Sequence, residues 1–197
     1  METARKAHVN RNTKETQIEV ELALEGEGNY TVNTGIPFFN HLLELFAKHG
    51  RFDLNIHAEG DIEVDFHHLV EDTGITLGDA FKKTLGRKGG IKRFSWAFMP
   101  MDDTLVRVCV DISGRPYLHY NVELEDPVIV HFNANLVREF LRGFVHSSGV
   151  TLHVDLIRGN NAHHIVEAVF KALALALFDA SEIIYPEDDI PSTKGVL

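Results

Sequence analysis

Residues 66–72 read FHHLVED, and residues 162–168 read AHHIVEA. Both stretches contain the string His-His-x-x-Glu, one in each half of a chain of 197 residues. A repeat of this kind indicates two copies of one structural unit. The interpretation of the fold therefore begins with an alignment of the two halves on these motifs.

Each motif follows the same series of predicted elements. An alternating apolar pattern predicts a strand, an i, i+3, i+4 pattern then predicts a helix, and a second alternating pattern predicts another strand. A second helix begins at the His-His pair. These patterns occupy residues 18–24, 37–50 and 52–58 in the first half, and 106–112, 134–149 and 150–156 in the second.

The repeat predicts an α+β fold with two pseudo-symmetric halves, residues 1–90 and 91–197. Each half is expected to be a small, mostly antiparallel four-stranded sheet with two helices on one face. Those helices have a second face to bury, so we expect all four to pack between the two sheets. The halves join at the glycine-rich LGRKGG, residues 85–90, within one intertwined domain.

Composition excludes several classes of protein. An apolar content of 44% excludes a disordered chain, and a net charge of −10 argues against nucleic acid as a partner. The longest apolar stretch, near residues 172–178, is shorter than the roughly 20 residues of a membrane span. Residues 1–15 lack the apolar region of a secretory signal, and the single Cys109 excludes an intramolecular disulfide. We therefore expect a cytoplasmic protein with no membrane partner.

One basic segment contrasts with the acidic composition. Residues 82–94 read KKTLGRKGGIKRF. Such a run is typical of a solvated loop or linker. Binding of an anionic group on a small ligand is the alternative, and the pattern alone leaves both interpretations open.

The repeated motif has the spacing of a metal site. Residues i and i+4 share a helical face, so His67 with Glu71, and His163 with Glu167, can each offer a nitrogen and an oxygen to one ion. Neighbouring side chains diverge by about 100°, so His67 and His68 suit two ions better than one. The motif therefore predicts two metal sites, with ligands from both halves or from neighbouring subunits.

The first helix of each half adds one residue of ligand type. His41 and Glu139 stand at matching points before the two motifs, whereas His49, His146 and His153 are weaker candidates. A lone histidine is more often a core residue than a ligand, but two copies in register favour metal binding. Nitrogen and oxygen donors without a thiolate suit Mn, Fe or Zn.

Longer stretches of the chain resemble one known family. They are RNTKETQIEVEL (11–22), TGIPFFNHLLELFAKHG (34–50), DFHHLVEDTGITLG (65–78), RFSWAFMPMDD (93–103), DISGRPYL (111–118), NNAHHIVEAVFKALALAL (160–177) and PSTKGVL (191–197). Together, and in this order, they are similar to imidazoleglycerol-phosphate dehydratase of histidine biosynthesis.

The resemblance implies a lyase that dehydrates D-erythro-imidazole-glycerol phosphate to imidazole-acetol phosphate with two Mn(II) ions per active site and a C-terminal tail that binds the substrate. Our hypothesis for the chemistry is that the two metal ions bind the substrate ring as an imidazolate. The resemblance also implies an octahedral homo-oligomer of roughly 24 subunits with active sites at subunit interfaces. The implied metal ligands are His41, His67, His68, Glu71, Glu139, His163, His164 and Glu167. The implied substrate contacts are Glu15, Arg93, Arg115, Ser192 and Lys194, and the implied catalytic carboxylates are Glu15 and Glu167.

A few positions differ from the family pattern or from the repeat. Glu139 stands where some relatives have His, and Leu45 where several have Gln. Asp72 has Ala168 as its counterpart, so we leave it outside the predicted metal set. The two aspartates of MPMDD, residues 102–103, are most simply turn residues.

Two other functions fit part of the pattern. A metal-dependent phosphohydrolase would also combine a dinuclear site with a phosphate clamp. Structural metal ions could instead hold an oligomer together without turnover, but that function leaves Arg93, Arg115 and Lys194 without a role. Taken alone, the segment PEDDIPSTKGVL, residues 186–197, is typical of a frayed polar terminus.

Overall fold

The computed structural model describes residues 5–197, so residues 1–4 of the predicted first half lie outside the described residues. The first half contains β1 (Lys6–Asn12), β2 (Thr16–Ala23), β3 (Tyr30–Asn33), α1 (Pro37–Gly50), β4 (Asp53–Gly60) and α2 (His67–Leu85). The second half contains β5 (Phe94–Met101), β6 (Thr104–Asp111), β7 (Tyr117–Asn121), β8 (Val128–Ile129), β9 (Phe132–Asn133), α3 (Leu136–Ser148), β10 (Thr151–Arg158) and α4 (Ala162–Ser181). Apart from the short β8–β9 hairpin, the two halves have the same order of elements.

Each half forms a four-stranded mixed sheet with the same topology. The strand orders are β1-β2-β4-β3 and β5-β6-β10-β7, and in each sheet the last pair is parallel. Val20 pairs with Ile56, and Val108 with Val154, so that the predicted apolar positions face the interior together. The predicted pseudo-symmetric α+β fold is confirmed.

The helices lie between the two sheets. Helix α2 packs on β1 and β2, helix α4 packs on β5 and β6, and the halves meet where α2 contacts α3 and α1 contacts α4. Aromatic rings cross this layer, since Phe140 of α3 contacts Phe39 of α1 and Phe170 of α4. Buried apolar side chains from both halves form one core. None of the helices within residues 5–197 has the length and apolar character needed to cross a bilayer.

Helices α2 and α3 approach each other at glycine positions. A Cβ at Gly74 would lie 2.2 Å from the main-chain oxygen of Phe140, and a Cβ at Gly143 would lie 2.7 Å from the main-chain oxygen of Glu71. Both distances are too short for any side chain, so the crossing requires glycine at these points. The close crossing places the first turn of α2 beside the first turn of α3.

The C-terminal tail is docked onto the glycine-rich segment. The amide of Gly90 donates to the main-chain oxygen of Asp189 at 2.7 Å, and the amide of Lys92 donates to the main-chain oxygen of Glu182 at 2.8 Å. A Cβ at Gly89 would lie 1.9 Å from the main-chain oxygen of Glu187, so the tail can pack against residue 89 only because that residue is glycine. The frayed-terminus interpretation is therefore wrong for the docked part of the tail.

Substitution of Gly74 by Ala tests the helix crossing. Helix propensity alone predicts that alanine stabilises an interior helical position by about 1 kcal/mol. The contact with Phe140 predicts the opposite sign, a loss of about 1–3 kcal/mol from overpacking. Chemical denaturation measures the free energy of unfolding. Lys83→Ala, at an exposed position of the same helix, is the control and should change it little; a stabilised Gly74→Ala variant would contradict the close crossing.

Candidate active site

The first cluster of candidate ligands lies where the start of α4 meets α1. The Asn161 side chain accepts hydrogen bonds from the amides of His163 and His164, which fixes the turn that carries both histidines. Glu167 Oε1 lies 2.7 Å from Nε2 of His163 and 3.0 Å from Nε2 of His41. One ligand atom from each of these three residues lies within 4.8 Å of the other two. Two imidazoles and a carboxylate therefore converge on one point.

Glu167 carries a buried negative charge in this cluster. Burial disfavours its charged form, but hydrogen bonds from Lys171, His41 and His163 outweigh burial and lower the pKa of Glu167 to about 2. Lys171 Nζ donates to Oε2 at 2.8 Å. Lys171 is absent from the predicted site, although its position four residues after Glu167 places both side chains on one helical face.

The second cluster lies on α2 and α3 and repeats this arrangement more loosely. His67 Nε2 is 3.6 Å from Glu71 Oε2. Arg142 joins two carboxylates, since its Nη1 is 3.1 Å from Glu139 Oε2 and its Nη2 is 3.6 Å from Glu71 Oε1. Glu139 thus corresponds to His41, as their sequence positions predict. The cations come from different helices, since Arg142 lies on α3 and Lys171 lies on α4. Within residues 5–197, three ligand atoms come within 4.8 Å of one another in the first cluster alone.

The second histidine of each pair points away from its neighbour. The rings of each pair are perpendicular, with centroids 6.0 Å apart in the first pair and 6.3 Å apart in the second. His68 Nδ1 lies 3.0 Å from Asp61 Oδ2, and this contact raises the pKa of His68. His164 Nδ1 lies 3.4 Å from Asp103 Oδ1. The observed divergence agrees with the predicted geometry, whereas both aspartate contacts are absent from the predicted site.

Equivalent hairpin turns bring acidic residues to these second histidines. Glu15, in the β1–β2 turn, has Oε2 4.0 Å from His68 Nδ1. Asp102 and Asp103 form the β5–β6 turn, as predicted, with Asp102 in the left-handed region at φ 50°. Glu15 and Glu167, the two predicted catalytic carboxylates, therefore belong to different clusters of the chain.

Several other candidates have different partners. Asp72 Oδ1 forms an ion pair of 2.9 Å with Arg11, and Asp72 Oδ2 accepts a hydrogen bond from Thr16. The weaker histidine candidates also lie outside the three-ligand group, namely His49, His146 and His153.

The predicted phosphate-binding arginines meet at the other end of the second sheet. Arg93 Nε donates to Asp111 Oδ1 at 2.8 Å, and Arg115 Nη2 lies 3.6 Å from Asp111 Oδ2. Arg93 has a φ of 77°, which a residue with a side chain rarely adopts. The structure thus places two guanidinium groups around a single carboxylate.

The tail reaches the same place. Arg93 Nη1 donates to the main-chain oxygen of Pro191 at 2.6 Å. Immediately after this contact, Ser192 Oγ accepts a hydrogen bond from the Lys194 amide at 3.2 Å, within a turn of the tail. All four predicted phosphate contacts therefore belong to one region of the chain.

This region is far from the first cluster. Arg93 immediately precedes β5, and its amide donates to the main-chain oxygen of Ala180, near the end of α4. His163 lies at the other end of α4. On the same helix as His163, Lys171 contacts Met101 at the far end of β5. At about 3.3 Å per strand residue and about 1.5 Å per helical residue, both paths give a separation of about 25 Å. One small ligand cannot contact both groups of the same chain.

The charge of Glu167 predicts a pH dependence of stability. Its pKa of about 2 in the folded chain is below the ordinary value of 4.5, so its stabilising effect is present above pH 4.5 and is lost as the pH falls toward 2. In chelator-treated protein at neutral pH, we expect Glu167→Gln to lower the free energy of unfolding by about 2 kcal/mol. Urea denaturation at stepped pH should show this difference shrinking below pH 4.5. Glu123→Gln, at an exposed position, is the control. If the free energy of unfolding of Glu167→Gln differed from that of wild type by the same amount at every pH, the ion pair between Glu167 and Lys171 would be contradicted.

Known proteins share both the sequence and the fold of this chain. The sequence model of the imidazoleglycerol-phosphate dehydratase family matches residues 34–177. The imidazoleglycerol-phosphate dehydratase of Thermoanaerobacter pseudethanolicus is 56% identical over 98% of this chain and 100% of its own length. That of Citrifermentans bemidjiense is 53% identical, also over 98% of this chain and 100% of its own length.

Two crystal structures extend the likeness to three dimensions. The imidazoleglycerol-phosphate dehydratase of Staphylococcus aureus superposes with a TM-score of 0.81 at 40% identity, covering 89% of this chain and 97% of that one. The enzyme of Pyrococcus furiosus, in complex with (S)-C348, gives a TM-score of 0.83 at 40% identity, covering 96% and 100%. The chain therefore belongs to the imidazoleglycerol-phosphate dehydratase family, whose members dehydrate imidazoleglycerol phosphate in histidine biosynthesis.

Proposed function

We propose that this protein converts D-erythro-imidazole-glycerol phosphate to imidazole-acetol phosphate with two Mn(II) ions per active site, as a homo-oligomer in the cytoplasm. Family membership supports the dehydration. The convergence of His41, His163 and Glu167 within 4.8 Å carries the metal part of the proposal.

The donor set fits Mn(II). Imidazole nitrogens and carboxylate oxygens without thiolates suit this ion, and Glu167 is already ionised at neutral pH. Glu139 gives the second cluster an oxygen donor where His41 gives the first a nitrogen. The proposed ligands are His41, His67, His68, Glu71, Glu139, His163, His164 and Glu167.

The reaction removes the hydroxyl group from the carbon next to the imidazole ring and a proton from the following carbon, where no carbonyl group makes that proton acidic. When bound, two Mn(II) ions would supply Lewis-acid stabilisation for the imidazolate form of the substrate ring. Loss of these two groups as water gives an enol that keeps its hydroxyl on the second carbon, and tautomerisation of this enol gives the ketone of imidazole-acetol phosphate.

The two proposed catalytic carboxylates differ in their surroundings. Glu167 has a pKa of about 2 and is held by three cationic or imidazole partners, so it is a poor match for proton transfer at neutral pH and a good anionic ligand. Glu15 is exposed on a turn beside His68. We therefore assign the principal proton transfer to Glu15.

The distance between the two groups of residues supports a site shared between subunits. The substrate extends less than about 10 Å from its ring to its phosphate, whereas the groups lie about 25 Å apart in one chain. In the proposed assembly, Arg93, Arg115, Ser192 and Lys194 of one subunit bind the phosphate, because arginine forms paired charged hydrogen bonds with its oxygens. The metal ligands come from other subunits.

Exposed aromatic side chains support the assembly. Trp96 is 65% exposed and Phe98 is 53% exposed, next to each other on the outer face of the second sheet. Exposed apolar patches commonly mark contacts between proteins. The proposed assembly is the octahedral form of roughly 24 subunits that the family resemblance implies.

Turnover with Mn(II) tests the proposed activity. Chelator-treated protein is reconstituted with Mn(II) and incubated with imidazole-glycerol phosphate, and both ketone and free phosphate are measured. We expect ketone without phosphate, and a loss of activity of at least about 100-fold in His67→Ala and His163→Ala, as expected when a metal ligand is removed. Phosphate release would instead support a phosphohydrolase, and stoichiometric metal binding without turnover would support structural metal ions.

Mixing of inactive variants tests the shared site. Arg93→Ala and His163→Ala should each be inactive alone. Hetero-oligomers of the two, formed at equal amounts by dissociation and reassembly, should recover up to about a quarter of wild-type activity, because some sites then combine intact groups from different subunits. Arg93→Ala mixed with Arg115→Ala is the matched control, since both changes affect the same group. Equal recovery in both mixtures would contradict the shared site.

A further inference from the structure

Two aspartates outside the proposed ligand set contact the second histidine of each pair through the same ring nitrogen. Asp61 Oδ2 lies 3.0 Å from Nδ1 of His68, and Asp103 Oδ1 lies 3.4 Å from Nδ1 of His164. Asp61 follows β4, whereas Asp103 lies in the β5–β6 turn, so the two aspartates do not occupy matching positions of the repeat. The same contact is thus built from two different parts of the fold.

The protein fixes the main chain at Asp61 and the carboxylate of Asp103. The Asp61 amide donates to the main-chain oxygen of Glu15 at 3.2 Å, and the main-chain oxygen of Asp61 accepts from the Val64 amide at 2.8 Å. Asp103 Oδ2 accepts from the Asn160 amide at 3.3 Å while its other oxygen contacts the ring. Asp61 thus approaches His68 from a turn whose main chain is fixed, and the Asp103 carboxylate has a second contact besides the ring of His164.

A carboxylate at Nδ1 determines what the other ring nitrogen can do. When Nδ1–H donates to the carboxylate, the neutral ring has its free electron pair on Nε2, which can then bind a metal ion. The carboxylate also fixes the ring orientation and makes the nitrogen a better donor. Nε2 of His67 and Nε2 of His163 each face a carboxylate of the same helix, Glu71 or Glu167, whereas Nε2 of His164 lies 3.8 Å from Asp102 in the exposed β5–β6 turn.

We propose that Asp61 and Asp103 are positioning residues that orient His68 and His164 for metal binding through Nε2. The inference rests on the proposed function, because it takes both histidines as ligands. Each aspartate supports one of the two histidines, so its removal weakens one class of metal site and leaves the other class intact.

Metal titration tests this role separately from activity. Full-length, chelator-treated wild type, Asp61→Asn and Asp103→Asn are titrated with Mn(II), with bound metal followed by calorimetry and free Mn(II) by electron paramagnetic resonance. We expect one class of sites to bind about 10–100-fold more weakly in each variant, with the other class and the final stoichiometry unchanged. Asp61→Glu, which keeps the carboxylate, should recover part of the loss.

Asp65→Asn is the matched control, because Asp65 lies in the same loop and accepts a hydrogen bond from the His67 amide without contacting the ring of His68. If Asp65→Asn and Asp61→Asn weakened Mn(II) binding equally, loss of negative charge alone would explain the effect, and the proposal would be overturned. Unchanged affinity in both Asp61→Asn and Asp103→Asn would overturn it as well. Wild type that binds no Mn(II) would refute the metal part of the proposed function, and this inference with it. Chemical denaturation of the metal-free variants, compared with wild type, checks that each variant is folded.

Discussion

The close crossing of α2 and α3 is the constraint on which the second cluster depends. The main-chain oxygens of Phe140 and Glu71 occupy the space that side chains at Gly74 and Gly143 would need. The two helices can therefore approach until their backbones touch, and Glu71 of α2 and Glu139 of α3 come within reach of Arg142. A larger residue at the crossing would separate these carboxylates, so the geometry of the second cluster depends on the packing of the helical layer.

Each cluster balances its carboxylates with a cation from the same helical layer. Lys171 does so for Glu167, and Arg142 does so for Glu71 and Glu139. Burying a carboxylate without such a partner would raise its pKa and leave it protonated. At Glu167 such partners outweigh burial, so this carboxylate stays charged and available as the anionic ligand that the proposed metal chemistry requires.

The length of α4 and β5 separates the two functional groups of the chain. His163 lies at one end of these elements and Arg93 at the other, about 25 Å away by the rise per residue. In the proposed function, a substrate with both a ring and a phosphate would therefore contact two subunits. The lengths of α4 and β5 therefore favour a site that is completed by assembly of subunits.

The sequence by itself determined the two-half α+β fold, the helices that begin at the His-His pairs and the buried face of each main strand. These follow from local periodicity and from the repeat, because each pattern lies within a few neighbouring residues. Only the tertiary structure decided that Arg142 and Lys171 balance the carboxylates, that Asp61 and Asp103 contact the second histidines, and that the tail docks on the glycine-rich segment. Most of these contacts join elements far apart in sequence. Their partners are fixed by packing, which no local pattern encodes.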